Sequence, residues 1–361
     1  MLFGYPIAAT VDNWLHECFC HILQSIHSKL ASGNIVTEWS EVIPEPYRNR
    51  LKSRLTGRGG LGDKLNGYQT ALANLTTAEQ NRILQAFNDQ NKIALLLSCQ
   101  CDCEAIADLP FGIHEPVKIL FKYAFGLLED LEIREQHYNI IYKSIPSRVC
   151  PFCGDENFAS LGSLGSRREA LDHYLLKASY PFAAANLRNL VPMGYKCNSQ
   201  YKNTQNILYR NDGTRRRSFD PYNHGIVKIS LDNSQPFAGT RGKMQEPLPK
   251  WKIDLGSNSE EVDTWDDVFH IRERYANTLD EEFNSWLYIF GKKCQQGIIP
   301  NSDQELVDAI EHYAISCELE GFGDRAFLKA AVFRMLHIHC QKGDQRLIEL
   351  IKGYVTPDVR V

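Results

Sequence analysis

Three short stretches of this chain place chemically capable residues close together: Cys150-Pro-Phe-Cys153-Gly154, Asp172-His173 and Cys197-Asn198. A Cys-x-x-Cys pair on a tight knuckle puts two thiolates within reach of one tetrahedral zinc, and a following glycine allows the turn. The same pair also fits two ordinary buried cysteines. Between Asp172-His173 and Cys197-Asn198 runs Asn186-Leu-Arg-Asn189-Leu-Val-Pro192. Arginines flank the region, as Arg167-Arg168 before it and Arg215-Arg216-Arg217 after it. From Lys143 to Arg217 there are 12 Lys and Arg against 5 Asp and Glu, within a chain of net charge −4. A basic middle in an acidic protein points to contact with a polyanion there, while the overall charge excludes a generic cationic nucleic-acid binder.

The order Cys-x-x-Cys, Asp-His, Asn-Leu-Val-Pro, Cys-Asn over residues 150–203 resembles the HNH branch of the ββα-metal, or His-Me finger, nucleases. The likeness is nearest to a subgroup with an Asp-His-Tyr-Leu-Pro-Lys signature found in bacterial restriction and antiphage loci, such as the Septu-type nuclease. A weaker likeness continues through Phe219-Asp220-Pro221-Tyr222 and Ile271-Arg-Glu-Arg-Tyr275. The resemblance implies phosphodiester hydrolysis. For that chemistry His173 has the natural pKa of a base that deprotonates water. Asp172 and the side-chain oxygen of Asn198 suit a hard divalent ion, a single Mg2+ or Mn2+ with several waters. By the same resemblance, Asp172-His173 lies on a β-hairpin, Cys197-Asn198 opens a helix packed across it, and Asn189 holds the loop and orients the imidazole. DNA is the expected substrate ahead of RNA, in phage defence or restriction, with a regulatory protein partner such as an ATPase. The alternatives are an RNA-directed nuclease, or an inactive nucleic-acid-binding module that kept the fold.

Two departures from the pattern stand out. Relatives carry a second Cys-x-x-Cys before the asparagine, but Gly194 occupies its first position, leaving three thiolates for a structural Zn2+: Cys150, Cys153 and Cys197. Either a distant residue completes the tetrahedron or packing holds the knuckle. Leu176 stands where the signature has proline, which bears on loop rigidity and not on chemistry. The Cys99-x-Cys101-x-Cys103 cluster is expected on a buried helix, with Cys99 and Cys103 on one face. Charge runs are usually solvated faces; flanking this site, Arg167, Arg168, Lys177, Lys202, Arg215, Arg216 and Arg217 are expected to touch phosphates. The basic stretch Arg48 to Arg58 could extend that surface or meet a protein. His16, His21, His27, His337 and His339 have no ligand partners at suitable spacing and read as packing or surface residues. Gly59-Gly60-Leu-Gly62 lacks the context of a nucleotide fingerprint and reads as a hinge.

The elements that must position this chemistry are mostly helical. Apolar residues recur at helical spacing over 11–31, ending at Gly33, and over 114–144. A short basic helix is expected in 44–62, a capping box at Thr77 and Gln80, and an apolar helix over 91–107. Asp212-Gly213 reads as a turn, 226–231 and 251–255 as strands, and helical periodicity returns from Val262 to Ile351, with breaks near Gly297–Pro300 and Gly321–Gly323. The expected fold is therefore α+β and mostly α: a helical N-terminal domain (1–145), a central ββα-metal (HNH) nuclease core (146–222) and a C-terminal region of short β element and helices (223–361). Hydrophobic residues at 43% and charged residues at 23% allow a sizeable core. The N-terminus shows no secretory signal, no stretch is long and apolar enough to span a bilayer, and the eleven cysteines, an odd number, show no disulfide framework. A reduced cytoplasmic protein without membrane contact is the expectation.

Overall fold

The computed structural model describes residues 1–159, 171–239, 248–256 and 259–356. It is mostly helical, with one two-stranded sheet among the described residues. No described helix is long and apolar enough to cross a membrane. The chain divides into two compact units, one of residues 4–145 and 158–224, the other of residues 1–3, 146–157 and 225–361.

In the first unit, helices α1 (Trp14–Ala31), α2 (Trp39–Val42), α3 (Glu45–Leu55), α4 (Leu61–Ala73), α5 (Thr77–Gln90), α6 (Ile93–Leu97), α7 (Phe111–Asp130) and α8 (Ile133–Ser144) precede strands β1 (Leu171–His173) and β2 (Leu190–Pro192). Helix α1 buries Leu15, Cys18, Phe19, Ile22, Leu23 and Ile26 on one stripe, as the 3.6-residue period dictates. Gly33, at φ +73°, follows its end and takes the left-handed conformation that side chains resist. Phe87 of α5 and Phe121 of α7 meet this core, and Phe182, from the loop after β1, stands edge-on to both at 5.6 and 5.3 Å. Burying such a ring contributes roughly 1.5–3 kcal/mol. The motif loop is thus part of the helical core.

Other local expectations shift as well. The capping box forms one residue earlier than expected, with Thr76 as the cap and Glu79 as its partner. The apolar helix expected over 91–107 stops at Leu97: Cys99 adopts φ +57° and is exposed, so the three cysteines of this stretch do not share a helix. The Asp212-Gly213 turn is present, bridged by Tyr209 and Arg215 with Gly213 at φ +84°.

The second unit holds α9 (Glu260–Phe269), α10 (Ile271–Gln296), α11 (Asp303–Glu320), α12 (Ala326–Gln341) and α13 (Gln345–Val355). Ser259, Ser302 and Asp344 cap three of them by accepting from backbone N–H groups three residues on. Phe333 packs on Phe290 and Tyr313, at 5.3 and 4.5 Å. Gly291 lets α10 touch α13: a Cβ there would fall 2.1 Å from the Tyr354 carbonyl oxygen. The strands expected over 226–255 are reduced to isolated bridges, Ser230 with Asp254 and Gln235 with Lys250.

Candidate active site

Strands β1 and β2 pair antiparallel, with Leu171 opposite Pro192, Asp172 opposite Val191 and His173 opposite Leu190. Alternation sends Asp172 and His173 to opposite faces, and turns the Leu190 and Pro192 carbonyls away from β1. Those carbonyls accept from the Tyr222 and Tyr5 hydroxyls, and the buried His137 ring lies between Ala9 O and Leu190 O, at 2.8 and 3.0 Å. Side chains therefore stand where a third strand would pair. On the outer edge of β1, the His173 carbonyl accepts from Lys202 Nζ at 2.9 Å.

The loop from β1 to β2 is held by Asn189, whose side chain is fully buried. Its Oδ1 accepts from Leu175 N at 2.6 Å, and its Nδ2 donates to Leu175 O at 3.1 Å and Ala183 O at 3.2 Å. Only an amide supplies both the acceptor and the two donors at this length, and the backbone adds Tyr174 N to Asn189 O at 2.9 Å. The loop so closed carries Ala184, whose carbonyl lies 3.0 Å from His173 Nε2. A carbonyl only accepts, so the proton sits on Nε2 and Nδ1 keeps its lone pair. Burial pushes the His173 pKa down to about 3; the Ala184 carbonyl pulls against that, while Lys177, Lys202 and Arg134 reinforce it. His173 is accordingly neutral at pH 7, but its pKa falls well below the near-neutral value expected from its residue type, because burial disfavours the imidazolium and weakens the ring as a base.

Asp172, His173 and Asn198 line one cavity of about 400 Å3, together with Phe125, Arg134 and Lys177. Asp172 Oδ2 is buried and accepts no hydrogen bond, although Lys202 Nζ stands 2.7 Å away as an ion-pair partner off the hydrogen-bonding direction. Asn198 sits in a π-helical turn, Lys196–Lys202, whose wide ring is closed by Asn203 N on Asn198 O at 2.8 Å. The Phe125 ring centre lies 4.5 Å from that of His173, with Arg134 and Lys177 over Phe125 at 4.7 and 5.2 Å. Phe125 and Arg134 escaped the sequence reading. Both belong to helices α7 and α8, tens of residues before the motif, and no local pattern distinguishes them from other amphipathic positions.

The residues expected to meet phosphates separate into different groups. Lys177 is exposed at the cavity rim. Lys202 is fully buried and bonded to β1, so it is not a surface phosphate contact. Arg215 donates to the carbonyls of Leu208, Arg216 and Leu96, at 3.0, 2.6 and 2.5 Å, and faces the Tyr209 ring. Arg216 is buried, and Arg217 alone of the three is exposed. Arg215 is thus occupied with backbone carbonyls and Arg216 is buried, so of the run only Arg217 stands on the surface as a basic face would require. Arg167 and Arg168 lie outside the described residues.

Cys150 and Cys153 form the expected knuckle: Cys153 N and Gly154 N both reach Cys150 O, at 3.2 and 2.7 Å, with Gly154 at φ +69°. Trp265 Nε1 donates to Phe152 O at 2.9 Å and the Tyr275 hydroxyl to Cys153 O at 3.0 Å, anchoring it. Cys150, Cys153 and Cys197 are all buried, a group that could hold a metal ion such as zinc. Among the described residues no fourth Cys, His or carboxylate joins the group.

No protein-family model, no curated protein and no solved structure matches this chain.

Proposed function

We propose that this protein is a divalent-metal-dependent endonuclease of the HNH type, hydrolysing phosphodiester bonds in DNA, with β1, β2 and the π-helical turn as its ββα core. The observation that carries the reading is the meeting of Asp172, His173 and Asn198 around one cavity, beside a loop locked by Asn189. A buried carboxylate oxygen that accepts no hydrogen bond, ion-paired with Lys202, and a side-chain amide on the same rim are hard oxygen donors, which fit Mg2+ or Mn2+. When bound, such an ion would neutralise charge at the phosphate and the leaving oxygen. His173, neutral and with Nδ1 available, takes the proton of the attacking water; the Ala184 carbonyl keeps the ring in that tautomer. Lys177 and Arg134 bring positive charge to the same cavity, where a phosphate diester would sit. Zn2+ on Cys150, Cys153 and Cys197 would be structural, completed by a ligand from outside the cluster. A role in phage defence or restriction beside a regulatory partner such as an ATPase rests on the sequence resemblance.

The test is cleavage of supercoiled plasmid and of structured RNA, side by side, with Mg2+ or Mn2+. Wild type should nick or linearise the plasmid, and His173→Ala should lower the rate at least a hundredfold with the circular dichroism unchanged. Full activity of His173→Ala, or cleavage indifferent to chelator, refutes the reading; preferential RNA cleavage changes the substrate and keeps the site.

A further inference from the structure

Lysine is among the residues least often fully buried, and an ammonium taken out of water needs a partner of opposite charge. Lys202 is fully buried, and two oxygens stand beside its Nζ: Asp172 Oδ2 as an ion-pair partner at 2.7 Å and the His173 carbonyl as a hydrogen-bond acceptor at 2.9 Å. It lies one helical turn beyond Asn198, on the same π-helical segment, so the element presenting one candidate oxygen ligand also brings a fixed positive charge to the other. That charge sits where a cation bound by Asp172 would feel it most, in surroundings that screen poorly.

We propose that Lys202 is a built-in counter-ion for Asp172: it holds the carboxylate in place when no divalent ion is bound, and it lowers the site's affinity for one. Lys202 is a positioning residue in this scheme, acting through Asp172 and touching neither substrate nor reacting atoms. The lysine makes the site preformed but weak, since an arriving ion meets an oriented carboxylate and a repelling ammonium together. The inference rests on the metal site of the proposed function, and its readout is ion binding rather than cleavage.

The experiment is Mn2+ binding to the full chain at pH 8, followed by the electron paramagnetic resonance of free Mn2+. Wild type, Lys202→Met, Asp172→Asn and the double variant are compared, each checked by circular dichroism. Methionine keeps the stem and removes the charge. The expected result is at least tenfold tighter Mn2+ binding by Lys202→Met than by wild type, with binding lost in Asp172→Asn. Asp172-dependent binding that Lys202→Met leaves unchanged or weakens overturns the counter-ion inference alone. Absence of Asp172-dependent binding from every folded variant overturns the metal reading and this inference with it. Should Lys202→Met unfold, the double variant decides: recovery of the fold supports mutual balancing of the two charges, and failure of both overturns it.

Discussion

Replacing Asn189 with alanine removes one acceptor and two donors from a fully buried position. Leu175 N–H and Leu175 O lose their partner, while Ala183 O keeps its bond from Asn186 N at 3.2 Å. Each buried group left unsatisfied costs about 1–3 kcal/mol, so a simple sum gives roughly 2–6 kcal/mol before relaxation. A water entering the vacated space would recover part of this, leaving about 2–4 kcal/mol, a large fraction of the roughly 5–15 kcal/mol that holds a typical protein together. Asn189→Asp should be no milder. It keeps the bond from Leu175 N but sets a carboxylate oxygen against two carbonyls and buries a charge. The assay is urea unfolding combined with hydrogen exchange of residues 174–189. Asn189→Ala should lower the unfolding midpoint and raise exchange throughout that loop. Because Ala184 lies in it, the His173 tautomer should loosen and cleavage should fall even below the unfolding midpoint. A loss under 1 kcal/mol with the loop still protected would refute the assignment of Asn189 as the clamp.

Three further outcomes follow from the structure. His27 is buried against the Tyr68 hydroxyl at 3.0 Å, and burial lowers its pKa to about 4; the unfolded chain therefore binds a proton first, and stability present above pH 6.5 is lost as pH falls from 6.5 towards 4. The loss amounts to roughly 3 kcal/mol and should shrink in His27→Gln, as measured by melting temperature against pH. Gly291→Ala places a methyl against the Tyr354 carbonyl and should destabilise the second unit by about 1–3 kcal/mol, read by chemical denaturation. Cys197→Ser should reduce the zinc content of purified protein by at least half, measured by atomic emission, and make the remainder easier to strip with chelator; equal zinc in both proteins would argue against a metal on the three sulfurs.

What could be read from the sequence was chiefly what is local. The helical stripe of α1, the left-handed stop at Gly33, the Asp212-Gly213 turn and the C-terminal breaks all depend on neighbours within a few residues. The Cys150 knuckle depends on four residues and a glycine, and is equally legible. Tertiary context overrides the local signal over 91–107: apolar residues at helical spacing favour a continuing helix, but the backbone turns at Cys99, which bonds to the Arg216 carbonyl. Arg215 differs from expectation for a related reason. A charged side chain beside a basic motif suggests phosphate contact until the carbonyls it satisfies, some more than a hundred residues away, are known. Lys202 is the sharpest case, because its burial follows from the placing of β1 beside the π-helical turn. Phe125 and Arg134 reach the cavity through the packing of α7 and α8, which no spacing in the motif encodes.

The side chains lining the outer edge of β2 have a consequence for the order of events in the cell. Tyr5 meets the Pro192 carbonyl and His137 the Leu190 carbonyl, and the Leu190 carbonyl gains its second partner only with Tyr222. A ribosome that has released the chain only as far as Asn198 has delivered every residue proposed for hydrolysis, yet the Tyr222 hydroxyl on that edge is still to come. Closing contacts that span up to 187 positions is slow compared with local helix formation. On the proposed nuclease reading, the site would then be completed only after Tyr222 emerges, a delay between the synthesis of its chemical residues and the closing of the edge beside them.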